Sequence, residues 1–189
     1  LEYGGKRPPS AQRTATASGA SVIAESKENT PCIEAVTFGK IMDLGIKDAN
    51  NMGAAMAPAA ASTIGDFLND THTSPTDYDL ILTGDLGKVG AELLIDLLKK
   101  DYGYDISSVH GDCGLMIYDL EAQDVHAGGS GCGCSGSVVN SYIMRQLKEK
   151  KLNRVFFVGT GALLSPTSTM QGESIPAIAH GVLLTSGDE

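Results

Sequence analysis

Cys132 and Cys134 stand two residues apart in GGSGCGCSGS, residues 128–137, a stretch that also holds five glycines. A helical run, SVVNSYIMRQLKEKK, follows at 137–151. Sulfur and glycine at the mouth of a helix admit four chemistries. They are a metal clip, a dinucleotide loop, a catalytic thiol, and a turn that bares backbone amides to an anion.

Structural zinc sites present two pairs of the form C-x₂₋₄-C. Here there is one C-x-C, with Cys113, His110 and His126 the other candidates nearby. Small thiols packed under a tight turn are the plainer account. Gly131, Gly133 and Gly136 spell G-x-G-x-x-G. That motif requires a hydrophobic strand just before it and an acid about 20 residues later. VHAGGS is a poor strand, and that offset falls in an apolar run. Glycines that let a helix end approach a sheet closely explain the spacing more simply. A thiol at a helix N-terminus is acidified by the helix dipole. Cys132 or Cys134 fits, but a nucleophile needs a base within reach. His110, His126 and His180 are the candidates, and spacing alone does not place them. Asp85 and Asp112 follow glycines in GDLG (84–87) and GDCG (111–114). Each suits acid–base work, and each suits a turn cap. The fourth chemistry asks least. The first-turn N–H groups of a helix have no partner inside it, and together with the dipole they suit a carboxylate or phosphate. Ser130 and Ser135 add hydroxyls.

Such a site must be held by surrounding elements, and their pattern is readable. TATASGASVIAES and CIEAVTFGKI read as strands. NMGAAMAPAAASTIGDFLND reads as a helix that Pro58 kinks or opens. LILTG (80–84) is a strand buried on both faces. VGAELLIDLLKKDYG is an amphipathic helix closed by Lys99, Lys100 and Gly103. CGLMIY reads as a short strand, residues 135–151 as a helix, and RVFFVGTG and IPAIAHGVLL as the last two strands. Alternation of this kind means a layered α/β domain. Ligands in such sheets gather at the carboxyl ends of strands.

The totals narrow the partners. A chain of 189 residues with 42% hydrophobic content builds one substantial core. A net charge of −9 argues against nucleic acid or an anionic membrane surface as the main partner. Four cysteines in a chain this long read as reduced thiols of an intracellular protein. No apolar run nears the roughly 18 residues of a membrane span. The chain opens at Leu1 on a polar stretch, so a fragment with sequence upstream is expected.

YDLILTGDLGKVG, HGDCGLMIY, HAGGSGCGCSG, LNRVFFVGTGALLSP and ESIPAIAHGVLL together resemble the C-terminal half of the stage V sporulation protein AD family of spore-forming bacteria. The resemblance runs over almost the whole chain. It implies an α/β, thiolase-like fold: the C-terminal half of a two-half fold, layered α-β-α around a central five-stranded mixed sheet. Residues 1–30 would end the first half and residues 31–189 would form the second. The implied role is binding of dipicolinic acid (pyridine-2,6-dicarboxylic acid) and its transport into the developing spore. The implied setting is intracellular, with the protein soluble or peripheral to the inner spore membrane. Implied partners are membrane proteins of the same sporulation operon and the N-terminal half of the same protein, with dimerisation expected. No cofactor is implied beyond the ligand itself, with or without calcium, and no resident metal.

The resemblance also bears on catalysis. Working thiolases carry N-E-A-F after a buried strand; the matching place reads GDLG, with Asp85 in the acidic position. Their G-H-P-x-G-x-S-G survives here only as Gly133, Ser135 and Gly136, and Ser130 holds the histidine position. The place of their second cysteine reads GTGA (159–162). In the related condensing enzymes the corresponding places fall on Gly84 and Asp112. A serine hydroxyl does not act as a base at neutral pH, so the expectation is a pocket turned to binding, not an enzyme. The rival is a thiolase- or ketoacyl-synthase-like acyltransferase. The expected ligand contacts are Asp85, Asp112, Gly129, Ser130, Gly131 and Cys132, with His110 and His180 beside them.

Overall fold

The computed structural model describes residues 7–25 and 28–187. Its centre is a five-stranded mixed sheet in the spatial order β2 (Cys32–Thr37), β7 (Ala177–Thr185), β6 (Arg154–Ala162), β3 (Leu80–Thr83) and β4 (His110–Asp112). The pairs β6–β3 and β3–β4 are parallel, while β2–β7 and β7–β6 are antiparallel. This is the α/β layering and the mixed five-stranded sheet expected from the sequence.

Alternate residues of the strands serve opposite layers, as a two-residue period demands. Ile81, Phe156, Val158 and Leu183 face one core with α1 (Met52–Thr71) and α2 (Gly87–Asp101). Leu82, Val155 and Leu184 face the other core, with Val138, Ile143 and Leu147. Those three lie on one continuous helical run: α4 (Cys132–Val138), a π-turn (Val139–Ile143) and α5 (Met144–Lys148). One short helix, α3 (Cys113–Met116), follows β4, and another, α6 (Pro166–Met170), follows β6.

Helix α1 is alanine-rich because it is buried along most of its length. Asn51 caps its start by accepting from the Ala54 N–H, and His72 closes it in the left-handed conformation. Pro58 lies inside the helix, beyond its first turn. Helices α1 and α2 cross in backbone contact: a Cβ on Gly53 would lie 2.4 Å from the Leu86 carbonyl oxygen. Glycine is required there by close approach.

Three expectations need correction. CGLMIY is not a strand: the strand is His110–Asp112, and α3 begins at Cys113. A short apolar run does not by itself separate strand from buried helix. Of TATASGASVIAES, only Thr14 is in a strand, β1 (Arg13–Thr14), which pairs in parallel with β5 (Gly129–Ser130). Val22 and Ile23 beyond it are exposed. The helix expected from Ser135 starts at Cys132, inside the glycine stretch.

Candidate functional site

The glycine stretch divides into β5 and the first turn of α4, joined by Gly131. Gly131 takes φ 92°, which favours glycine. Gly133 serves packing, whereas a Cβ on Gly136 would meet nothing closer than 3.5 Å. A Cβ on Gly133 would lie 2.2 Å from the Ala17 carbonyl oxygen, and one on Gly19 1.9 Å from that of Gly136. The extended chain from Ala15 to Gly19 runs directly against α4. Of the three glycines in the motif, Gly133 answers to this crossing and Gly131 to its positive φ.

At this junction lies a cavity of about 340 Å³. It is lined by Gln12, Met52, Met56, Asp85, Ser130, Gly131, Cys132, Ser135, Thr160, Gly161 and Ala162. The carboxyl ends of β3 and β6 and the start of α4 meet here, where open α/β sheets collect ligands. Of the expected contacts, Asp85, Ser130, Gly131 and Cys132 are brought together. The lining contains Asp85 as its carboxylate and no Lys, Arg or His.

Asp85 is firmly placed. Its Oδ2 accepts from the Gly131 N–H at 2.7 Å, and its Oδ1 accepts from the Thr160 hydroxyl at 2.9 Å. The expectation that Gly131 offers a bare amide is therefore corrected: the chain's own carboxylate holds it. Gln12 donates Nε2–H bonds to the carbonyl oxygens of Asp85 (2.8 Å) and Gly129 (2.7 Å) and ties the two sides of the cavity together. Donors remain. The hydroxyls of Ser130 and Ser135 make no hydrogen bond among the described residues, and the Cys132 and Gly133 amides sit in the helix's first turn, which lacks intrahelical acceptors.

Asp112, expected as a contact, is 1% exposed and lies outside the lining. Its Oδ2 accepts from the Thr83 hydroxyl (2.7 Å) and the Leu86 N–H (2.9 Å), and its Oδ1 accepts from the Gly87 N–H (3.0 Å). It caps the entry to α2. Burial raises its pKa, against those hydrogen bonds. Gly129 is buried behind the lining. His180 sits on β7, outside the lining, where its Nδ1 accepts from the Gly39 N–H at 3.1 Å and its ring meets Phe38 edge-on. His110 also lies outside the cavity, with Nε2 3.0 Å from the Thr83 hydroxyl. That hydroxyl gives its proton to Asp112, so neutral His110 carries its proton on Nε2.

Burial pushes the His110 pKa down from 6.5 to about 4. A depressed histidine pKa means stability that is complete above about 6.5 and is lost as pH falls through about 4. Between pH 7 and pH 5 this residue removes about 2 kcal/mol from folding stability. Denaturant unfolding of the wild type and His110→Gln at the two pH values should show the difference between the proteins changing by that amount.

The thiols divide by burial. Cys113 and Cys134 are buried and Cys132 is exposed. Burial, with the nearby Asp112 and Asp85 charges behind it, pushes the Cys134 thiol up to about 12 and the Cys113 thiol higher still. Both stay protonated at neutral pH and are poor nucleophiles. Cys32 lies on β2, beside Thr185.

Spacing gave no sign of Gln12, which enters through the β1–β5 pairing across more than a hundred residues. Thr160, Gly161 and Ala162 were open to the strand-end rule, since they close β6.

The profile of the family described as "Stage V sporulation protein AD (SpoVAD)" matches residues 1–185. The stage V sporulation protein AD of Bacillus subtilis (strain 168) is 54% identical over 182 residues, which cover 96% of this chain and 53% of that protein. The chain thus spans about half the length of that curated relative. Among solved structures, a tetronic acid condensing enzyme aligns with TM-score 0.45 and 15% identity, over 85% of this chain and 48% of its own. The 3-oxoacyl-[acyl-carrier-protein] synthase III of Aquifex aeolicus VF5 aligns with TM-score 0.41 and 9% identity, over 85% and 46%. Human mitochondrial 3-ketoacyl-CoA thiolase aligns with TM-score 0.38 and 16% identity, over 81% and 30%.

Proposed function

The chain belongs to the stage V sporulation protein AD family, and from that premise we propose that it is a non-catalytic binding unit for dipicolinic acid. In this reading it supports uptake of the acid into the developing spore. The observation that carries the reading is the cavity at the mouth of α4, whose lining joins hydroxyls to an apolar wall without a histidine. Met52, Met56 and Ala162 offer a surface for a flat ring. Ser130, Ser135 and the first-turn amides of α4 offer donors for a carboxylate. The volume lies in the range usual for small-molecule sites.

The partners follow in the same proposal. Residues 1–30 close a first thiolase-like half, and residues 31–189 form the second. The N-terminal half of the longer protein, or a second copy, covers the apolar side chains left exposed here, Phe38, Ile41 and Leu44 among them. Among the described residues no helix is long and apolar enough to cross a membrane. Contact with the membrane then runs through membrane proteins of the same operon. Calcium accompanies the ligand or is absent without changing this assignment.

Calorimetric titration of dipicolinate into the full-length protein tests the proposal. Ser130→Trp should fill the cavity and weaken binding by at least about tenfold, or 1.4 kcal/mol. Equal affinity in the two proteins, or no heat from the wild type, would remove the cavity from the account.

A second reading, acyl transfer, draws on the exposed Cys132 in the lining. Incubation of the full-length protein with acetyl-CoA and acetoacetyl-CoA separates the two: turnover lost in Cys132→Ala would favour the enzyme.

A further inference from the structure

The cavity already contains a carboxylate. Asp85 reaches across it from the loop after β3 and takes two donors from different elements, the Gly131 N–H before α4 and the Thr160 hydroxyl on β6. Gln12 and the Asp85 backbone hold the loop in place: Gln12 donates to the Asp85 carbonyl oxygen, and the Asp85 N–H donates to the Thr160 hydroxyl at 3.1 Å. No cationic side chain in the lining offsets the Asp85 charge. A dianionic guest therefore meets a like charge at the place where the best donors are.

We infer that Asp85 is the specificity-determining residue of this cavity, an internal occupant whose carboxylate a guest carboxylate must displace from Gly131 and Thr160. The inference rests on the proposed dicarboxylate ligand for its biological meaning, but not for its geometry. Two carboxylates do not share one N–H and one O–H at hydrogen-bonding distance, so entry is an exchange. One carboxylate of the guest takes the free donors at Ser130 and the first turn of α4, the other accepts from Gly131 and Thr160, and Asp85 turns to solvent through the open side of the cavity. No bond is made or broken beyond these hydrogen bonds. Apparent affinity is lowered by the fraction of molecules in which Asp85 is seated, and by its charge repulsion when it is not. The residue thus selects guests that bring strong acceptors, and it keeps the cavity closed to weak ones.

Replacing the charge while keeping the shape should open the site. Asn in place of Asp85 keeps an acceptor for the Gly131 N–H and presents an amide to the Thr160 hydroxyl, which then turns to accept. Calorimetry on the full-length protein should show dipicolinate binding Asp85→Asn about tenfold more tightly than wild type. Where the wild type binds dipicolinate, weaker or unchanged binding by Asp85→Asn would overturn the inference, because Asp85 would then be a contact that assists the guest or a bystander. A second measurement stands apart from dipicolinate. Asp85→Ala vacates the donor pair, so acetate should raise its melting temperature and shift the Gly131 amide resonance, with neither effect in wild type. Absence of both effects in the folded variant would overturn the inference. If neither protein bound dipicolinate while acetate seated in Asp85→Ala, the role of Asp85 would stand and the proposed ligand would fall.

Discussion

Asp112→Ala is expected to cost the fold about 3 kcal/mol, since it takes the acceptor from three buried donors and leaves the two amides with none, while the hydroxyl keeps only the Gly111 carbonyl oxygen at 3.3 Å. Those donors are the Thr83 hydroxyl and the Leu86 and Gly87 amides. They join β3, β4 and the start of α2, and Asp112 itself is 1% exposed, so water does not replace the lost carboxylate. Asp112→Asn keeps one acceptor oxygen and should cost less than the alanine variant. The pH dependence has a definite sign. Burial raises the Asp112 pKa above its ordinary value of 3.8. Its contribution is therefore complete below that value and declines as pH rises through the folded pKa. The deficit of Asp112→Asn relative to wild type should be larger in acid than at neutral pH. Urea unfolding of the three proteins measures both effects. A loss below 1 kcal/mol for the alanine variant would mean that the buried donors find other acceptors.

Phe156→Ala is expected to cost about 3–5 kcal/mol. Phe156 is fully buried on β6, between the parallel strand β3 and the antiparallel strand β7, and stacks on Phe67 of α1 at 4.0 Å. Tyr78 closes the cluster at 6.1 Å, and the Arg154 guanidinium lies over the Tyr78 ring. Alanine leaves a ring-sized void between sheet and helix that neighbouring side chains fill only in part. For a chain of this size the melting temperature should fall by roughly 10 °C. Phe38→Ala is the matched contrast: Phe38 is 85% exposed, and its loss in the isolated chain should stay within about 0.5 kcal/mol. Should the two variants melt alike, the division into core and uncovered surface would be wrong.

The sequence made the core legible where its patterns were long. LILTG and RVFFVGTG have apolar runs set between turn signals, and they form the central parallel pair of the sheet. The alanine run gave α1, and the lysines and Gly103 gave the end of α2. Local pattern failed where a distant segment decides. The start of α4 at Cys132 goes against the low helix propensity of glycine. It is settled by the crossing of Ala15–Gly19, which tolerates no side chain at Gly133. In CGLMIY, Cys113 and Gly114 of α3 are buried and Ile117 and Tyr118 pack against the core, while Met116 is exposed; the run follows no strand periodicity.

The site was legible by half for the same reason. Asp85 and the residues Ser130–Cys132 stand at a strand end and a helix start, and both are local signals. Asp112 carries an equal signal, an acid after glycine in a loop-like run, yet it turns inward to cap α2. Two aspartates in near-identical GD contexts thus divide into a cavity residue and a scaffold residue. The difference lies in which backbone amides face them, and the short GD motifs do not record that. Gln12 makes the same point from the other side: its role depends wholly on a strand pairing between distant parts of the chain.

Dipicolinate is expected to bind in this cavity. A crystal structure of the full-length protein grown with dipicolinate examines it most directly. The pyridine ring should lie between Met52, Met56 and Ala162, one carboxylate should face Ser130 and the first turn of α4, and Asp85 should have left Gly131. Dipicolinate seated elsewhere, with the Asp85–Gly131 bond intact, would contradict it.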